Sequence, residues 1–271
     1  MSQKYRNSPD RIQQRMRSLP APLLDKVVSV FVAGSFVRGD FNPRHSDLDF
    51  CVVRHDEATL SAAEVRQVGG CLDPILPNPK LLRDYVGLRV ADLPVTEDQV
   101  YSLAGCAGAV EPWPYLWVYG FDLAENHLHI FGHDVVASMP TVEPCLLIAY
   151  RVQRVDALQR IEKAAGNRET DLQNVFLVPR LTTHLMKWAQ LYFGEPTIRK
   201  DEVLPLFMKH VPDFPSKPFA RELWDEYLRH NLWSIHEAAS AAQIADFEKK
   251  TLVFARQLAG VLKNTAARRR E

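Results

Sequence analysis

The fold is decided by the stretch Val32-Ala-Gly-Ser-Phe-Val-Arg-Gly-Asp40, which a second stretch, Ser46-Asp-Leu-Asp-Phe50, follows closely. The first stretch ends an apolar run over 26–32 that is rich in β-branched residues, so it predicts a strand that stops in a sharp turn at Gly34. The second stretch opens another apolar run over 48–53, which predicts a second strand.

Asp47 and Asp49 lie two residues apart at the start of that second strand, so both carboxylates project from one face. Two like charges roughly 5 Å apart repel by about 1 to 3 kcal/mol, and a divalent cation, which phosphoryl chemistry requires, removes the repulsion. At the preceding turn, Gly34 and Ser35 offer backbone N–H groups and a hydroxyl to a triphosphate. Each motif alone is more often structural, but their order and spacing favour a catalytic site.

Gly34-Ser35, Arg38-Gly39 and Ser46-Asp-Leu-Asp49 together resemble the signature of the DNA polymerase β superfamily of nucleotidyltransferases. Within that superfamily they are similar to the aminoglycoside adenylyltransferases of the streptomycin/spectinomycin type. Two further segments support that branch. One is the strand end Leu128-His-Ile-Phe-Gly132, and the other is 174–203, where a helix ends in a glycine and a lysine opens the next helix.

The resemblance implies a site for two magnesium ions, held by Asp47, Asp49 and a third carboxylate on a neighbouring strand. We predict Asp92 as the third catalytic and metal-binding carboxylate, with Asp84 and Asp122 as the alternatives. All three depart from the family, which usually places a glutamate in a more apolar context at about this distance.

Four residues are predicted to bind the nucleotide, namely Gly34, Ser35, Arg38 and Lys200. Arg38 lies three residues past Ser35 on the same side of a starting helix, which brings its guanidinium within reach of the triphosphate. A surface pair with Asp40 is the alternative for Arg38. Lys200 is similar to the family lysine that closes over the phosphates, although an exposed loop lysine would look the same.

The pattern along the chain predicts an α+β fold, in which an N-terminal mixed β-sheet with flanking helices is followed by a C-terminal helical bundle. We place the boundary near Pro140, which gives a nucleotidyltransferase domain over 1–140 and an all-helical domain over 141–271. Within 1–25 we predict a short amphipathic helix, and Glu125-Asn126 is interpreted as a hairpin turn. The predicted strands are 27–32, 48–53, 85–93, 116–123 and 127–131, and a helix is predicted at 58–68. The predicted C-terminal helices are 143–165, 178–193 (with Pro179 in the first turn), 201–210, 222–242 and 245–261.

Composition narrows the location and the partners. Lysine plus arginine and aspartate plus glutamate each total 33, so no global field attracts nucleic acid or an anionic membrane. The four cysteines are far apart and lack metal-ligand spacing, as in a reducing compartment. No secretion signal and no membrane-spanning apolar run is present, so we predict a cytoplasmic protein.

These observations predict an adenylyltransferase that moves AMP from ATP to a hydroxyl of a small molecule, such as an aminoglycoside, and releases pyrophosphate. Its predicted partners are the nucleotide and that small acceptor, and antibiotic resistance would be its role. Two alternatives stay open. The acceptor could be a protein or an RNA, as in a regulator or toxin, or the chain could bind a nucleotide without transferring it.

Overall fold

A four-stranded mixed sheet carries the N-terminal part of the chain. Its spatial order is β3-β2-β1-β4, with β1 antiparallel to both β2 and β4, and with β2 parallel to β3. The computed structural model describes residues 8–41, 48–75, 83–105, 120–166, 172–230 and 240–268. The strands are β1 Val27–Val32, β2 Leu48–Arg54, β3 Arg83–Arg89 and β4 Leu128–Gly132.

Helices flank this sheet in the sequence, and they pack against both of its faces. They are α1 Ser8–Arg17, α2 Ala21–Leu24, α3 Ser35–Arg38, α4 Ala62–Cys71, α5 Glu97–Gly105 and α6 Gly120–Glu125. Alternate residues of the central strands, such as Val30 and Phe50, pack in one cluster with Ile12 of α1 and Val68 of α4. The sheet and its helices confirm the predicted α+β class.

The opposite face of the sheet holds the other half of each strand. Phe31 of β1, Cys51 of β2 and Val86 of β3 are buried there in a second cluster, which Leu123 of α6 joins. Because side chains alternate along a strand, position 49 belongs to this second face and not to the face that α1 and α4 cover.

Two strand predictions differ from the structure, one in where the strand ends and the other in the type of element. The predicted strand 85–93 stops at Arg89, and Val90–Asp92 forms a single 3-10 turn because the Asp92 carboxylate accepts the Arg89 N–H at 2.8 Å. The described part of the predicted strand 116–123 belongs to helix α6, so Glu125-Asn126 joins a helix to a strand and is not a hairpin turn.

The C-terminal part is helical, as predicted, but several helix boundaries there were wrong. The helix predicted over 222–242 is described as Phe219–His230, residues 231–239 lie outside the described residues, and the next helix begins at Ala241 and not at 245. The single helix predicted over 143–165 is broken because Val155 is extended and the Asp156 side chain accepts the Gln159 N–H, which starts a new helix. Pro179 lies inside a longer helix and not in its first turn. The helices are α7 Pro144–Arg154, α8 Ala157–Gly166, α9 Leu172–Phe193, α10 Lys200–His210, α11 Phe219–His230 and α12 Ala241–Arg268.

The chain divides into two compact units. One comprises Met1–Leu103 with Val110–Val142, and the other comprises Ala104–Ala109 with Glu143–Glu271. The predicted division into a nucleotidyltransferase domain over 1–140 and an all-helical domain over 141–271 stays a prediction. Among the helices of the described ranges, none combines the length and the apolar character that a membrane span needs.

Candidate active site at the turn between β1 and α3

The turn after β1 has a backbone conformation that requires glycine. Gly34 has φ +76° and ψ −160°, a combination that residues with a Cβ avoid. The Gly34 carbonyl accepts the N–H groups of Val37 and Arg38 at 3.2 Å each, which closes the short helix α3. The strand therefore leaves the sheet abruptly at Gly34, as the sequence predicted.

The Asp49 carboxylate occupies the space where a side chain at position 34 would be. A Cβ built on Gly34 would overlap the Asp49 Oδ2 atom and would lie 3.1 Å from its Cγ. The backbones are also joined here, because the Ala33 N–H donates to the Asp49 carbonyl at 3.1 Å. Glycine thus lets a half-buried carboxylate sit directly against the turn.

This contact brings together the two motifs that the sequence singled out. Ser35, the first residue of α3, is only 7% exposed and adjoins the same turn. A carboxylate oxygen is a preferred ligand of a hard divalent cation, and a cation there would lie beside the Gly34–Ser35 turn. Asp47 falls outside the described residues, so its predicted role stays a prediction.

The strand register decides where a third carboxylate can lie. In the parallel pair of β2 and β3, Asp49 is the partner of Asp84, and Arg54 is the partner of Arg89. Partners on adjacent strands are about 4.8 Å apart, whereas five residues along a strand span roughly 16 Å. The backbone of Asp84 is therefore level with Asp49, while Asp92 lies beyond the opposite end of β2.

The prediction of Asp92 as the third carboxylate is therefore corrected, because the structure does not bring Asp92 close to Asp49. Its carboxylate instead forms an ion pair with the Arg89 guanidinium, at 2.6 Å between Nη2 and Oδ1. Hydrogen bonding to Arg89 lowers the pKa of Asp92, so the carboxylate is already stabilised as the anion. The prediction failed because the sequence pattern does not show which end of β3 lies beside Asp49.

Asp122, the other alternative for a third carboxylate, serves a different purpose. It lies in helix α6, and the Arg38 Nη1 atom donates to its Oδ2 at 2.7 Å. Arg38 also has Asp40 beside it, with 3.4 Å between Nε and Oδ1. The sequence offered this pair as an alternative at the surface, whereas in the structure both side chains are buried. Burial raises the pKa of Asp122, and its contact with Arg38 opposes that rise.

Lys200 lies in the second unit, at the start of a helix. It is the first residue of α10, and its carbonyl accepts the Trp224 Nε1–H at 3.0 Å. Its predicted contact with phosphates stays a prediction. In the ranges that the structure describes, no three His, Cys, Asp or Glu side chains are grouped as a metal site.

Comparison with protein families agrees with this geometry. Residues 11–93 match the family model described as "Nucleotidyltransferase domain". The matched segment contains most of α1, the Gly34 turn, β2 and β3, and so includes Gly34, Ser35 and Asp49. No curated protein matches the chain. The match supports nucleotidyl transfer in general, and it does not reach the finer resemblance to aminoglycoside adenylyltransferases.

Proposed function

We propose that this protein is a magnesium-dependent adenylyltransferase, which moves AMP from ATP to a hydroxyl of a small molecule and releases pyrophosphate. The observation that carries the proposal is the contact of the Asp49 carboxylate with the Gly34–Ser35 turn. It sets a metal-binding group against a phosphate-binding turn, within the segment that matches a nucleotidyltransferase domain.

Asp47, Asp49 and Asp84 would hold two magnesium ions. Asp49 is supported by its position against the turn, Asp47 by its place two residues earlier, and Asp84 by its register beside Asp49. When bound, the ions supply Lewis-acid activation of the α-phosphate and of the acceptor hydroxyl. Position 84 also alternates onto the same sheet face as Val86 and Leu88, the face to which position 49 belongs.

The turn after β1 would bind the triphosphate. Gly34 lets the backbone approach the phosphates closely, and the Ser35 hydroxyl is a donor at the same turn. Holding the phosphates in one geometry is most of what this reaction asks of a protein. Lys200 would add a positive charge to the outgoing pyrophosphate, a role that rests on the resemblance of 174–203.

The acceptor would be a small molecule that carries a hydroxyl, such as an aminoglycoside. The resemblance of the motif and of the C-terminal segment supports this class. The equal numbers of acidic and basic residues argue against a polyanionic acceptor such as tRNA, because nucleic-acid binding depends on neutralising phosphates with a surplus of lysine and arginine.

The test is a transfer assay with four nucleotides and three acceptor classes. The purified chain is incubated with Mg²⁺ and α-³²P-labelled ATP, GTP, CTP or UTP, together with pooled aminoglycosides, total cell protein or tRNA. We expect the label from ATP to appear on an aminoglycoside, and mass spectrometry should show a gain of one AMP. Asp49→Asn is the matched inactive control.

Each other outcome points to a different function. Label on protein or tRNA would replace the small acceptor with a macromolecule while the transfer chemistry is retained. Nucleotide binding with no labelled product in any arm would contradict the enzyme and leave a nucleotide-binding module.

A further inference from the structure

Arg38 and Asp122 form a buried ion pair between two elements that are distant in sequence. Arg38 is the last residue of α3, Asp122 lies in α6, and their side chains are each about 10% exposed. The guanidinium and the carboxylate are separated by 84 positions along the chain. Their contact therefore joins the helix next to the Gly34 turn to a remote part of the first unit.

Both oxygens of the Asp122 carboxylate are used. Oδ2 accepts from Arg38 at 2.7 Å, and Oδ1 accepts from the Asn126 side-chain amide at 3.0 Å. Arg38 has a second carboxylate beside it, since its Nε atom is 3.4 Å from Asp40 Oδ1. These partners fix the orientation of the Arg38 and Asp122 side chains, because moving one of them away would leave the other as an uncompensated buried charge.

Helix α6 is itself held in place at its carboxyl end. The His127 Nδ1–H donates to the Leu123 carbonyl at 3.0 Å, and Nε2 lies 3.2 Å from both carboxylate oxygens of Asp134. Leu123 is buried in the second core cluster of the sheet. These contacts fix the position of helix α6, and therefore that of the Asp122 carboxylate.

Helix α3 is too short to fix its own geometry. It has four residues and three terminal backbone hydrogen bonds, two to the Gly34 carbonyl and one from the Gly39 N–H to the Ser35 carbonyl. A helix of one turn is not stable by itself, so its position depends on tertiary contacts. Phe36 and Val37 are partly buried against the first core cluster, and the Phe36 ring meets the Phe41 ring edge to face with 5.5 Å between their centroids. The ion pair of Arg38 adds a directional contact.

We infer that Asp122 is a positioning residue, which holds α3 through Arg38 and thereby fixes the Gly34–Ser35 turn for the phosphates of the nucleotide. The inference rests on the proposed function for its consequence in catalysis. It assigns Arg38 to the support of the turn, and it gives Asp122 a role that is distinct from metal binding.

The test compares Asp122→Asn with a control of the same chemistry. Asparagine keeps the shape and one acceptor oxygen but removes the charge that faces Arg38. Asp73→Asn is the control, because Asp73 pairs with Arg15 in the same unit and is exposed. Two quantities are measured for each variant: amide hydrogen exchange in the peptide covering 33–40, and the KM values for ATP and for the acceptor.

For Asp122→Asn we expect exchange of the Val37, Arg38 and Gly39 amides to become about tenfold faster, as expected for loss of a supporting contact. The KM for ATP should rise by a similar factor while the KM for the acceptor stays the same. Asp73→Asn should leave all of these values unchanged. Arg38→Lys, which retains the charge but not the planar fork, should give an intermediate result and serves as the second variant if Asp122→Asn does not fold.

Unchanged exchange at 37–39 in a folded Asp122→Asn protein would overturn the inference. Equal changes in both KM values, together with a lower melting temperature, would also overturn it, because they would indicate a general loss of structure. If the wild-type chain transfers no nucleotide, the proposed function fails, and the exchange data alone still decide whether Asp122 fixes α3.

Discussion

Gly34 lacks a side chain where the Asp49 carboxylate needs the space, and this is the smallest feature on which the proposed activity depends. Gly34→Ala adds a Cβ at φ +76° and ψ −160°, a region that costs about 1 to 3 kcal/mol for a residue other than glycine. The Cβ also displaces Asp49 Oδ2. We expect this variant to lose transfer activity by at least about a hundredfold, measured as kcat/KM for ATP on the folded fraction.

Gly39→Ala is the matched control for that substitution. Gly39 also has a positive φ, +84°, but an added Cβ would meet no atom within 4 Å. It should cost about 1 to 2 kcal/mol of unfolding free energy, from backbone strain alone, and should retain most of the activity. Equal activities for the two variants would show that the overlap with Asp49 has no part in the reaction.

Three aspartates in or near the sheet test the assignment of the metal ligands. Asp49→Asn and Asp84→Asn should each reduce kcat by at least about a hundredfold, because an amide cannot supply the anionic oxygen that a hard divalent cation requires. Asp92→Asn should change kcat by less than about twofold, since its exposed pair with Arg89 is worth at most about 1 kcal/mol of stability. Steady-state kinetics at saturating Mg²⁺ separate the two cases. A severe loss in Asp92→Asn with normal activity in Asp84→Asn would reverse the assignment.

At the scale of elements, the sequence predicted the residues of β1 and β2 better than it predicted how the strands pair. The run over 27–32 is β1 to the residue, and 48–53 is one residue short of β2. Alternation also put positions 49 and 84 on the same face of the sheet, whereas position 92 lies beyond the end of β3 in a 3-10 turn. Alternation could not give the register, because whether β3 begins or ends beside Asp49 depends on the pairing direction, which periodicity does not contain. Asp92 was therefore preferred to Asp84.

Helix α6 shows a second limit of the sequence pattern. Gly120-Phe-Asp-Leu123 alternates in a way that fits a strand, and the structure makes it a helix. The buried pair of Asp122 with Arg38 comes from a contact across 84 positions, and no local rule predicts such a contact. By contrast, Gly34 and Asp49 could be found from the sequence, because a glycine turn and an Asp-x-Asp strand are local patterns.

The capping box at the start of helix α4 predicts that the stability of the fold depends on pH. The Ser61 side chain accepts the Glu64 N–H, and the Glu64 carboxylate accepts the Ser61 N–H at 2.7 Å, a capping box to which Lys26 adds an ion pair at 2.7 Å. The hydrogen bond from Lys26, followed by those from Ser61, lowers the pKa of Glu64 to about 2. Since the folded-state pKa is the lower one, the stabilisation is present above the unfolded value near 4.5 and is lost as the pH falls toward 2.

Glu64→Gln should therefore be less stable than the wild type at neutral pH, and the difference should shrink as the pH falls below 4.5. Urea unfolding at a series of pH values measures this difference. Glu57→Gln, an exposed glutamate in the loop before α4, is the control and should show no such trend. A difference that grows toward acid pH would contradict the role of the charge in this cap.

At the scale of the whole molecule, the balance of charge shapes how a nucleotide can bind. The 33 basic and 33 acidic residues give a formal net charge of zero, so the total charge of the chain does not draw a triphosphate toward it. At the site, the carboxylate of Asp49 and its two proposed partners would repel the phosphates. Binding of the nucleotide should therefore require the divalent cation, which converts that repulsion into attraction.

Whether nucleotide binding requires the divalent cation can be tested by measuring the thermal stability of the whole chain. A ligand that binds only the folded state stabilises it by RT ln(1 + [L]/Kd), about 2.7 kcal/mol at a hundredfold excess over Kd. We expect Mg²⁺ and ATP together to raise the melting temperature by several degrees, while ATP with a chelator gives no rise. Asp49→Asn should abolish most of the rise, and Asp92→Asn should keep it. An equal rise with the chelator present, or in Asp49→Asn, would mean that the nucleotide binds away from the Gly34 turn, because in the proposed site the cation lies between the Asp49 carboxylate and the phosphates.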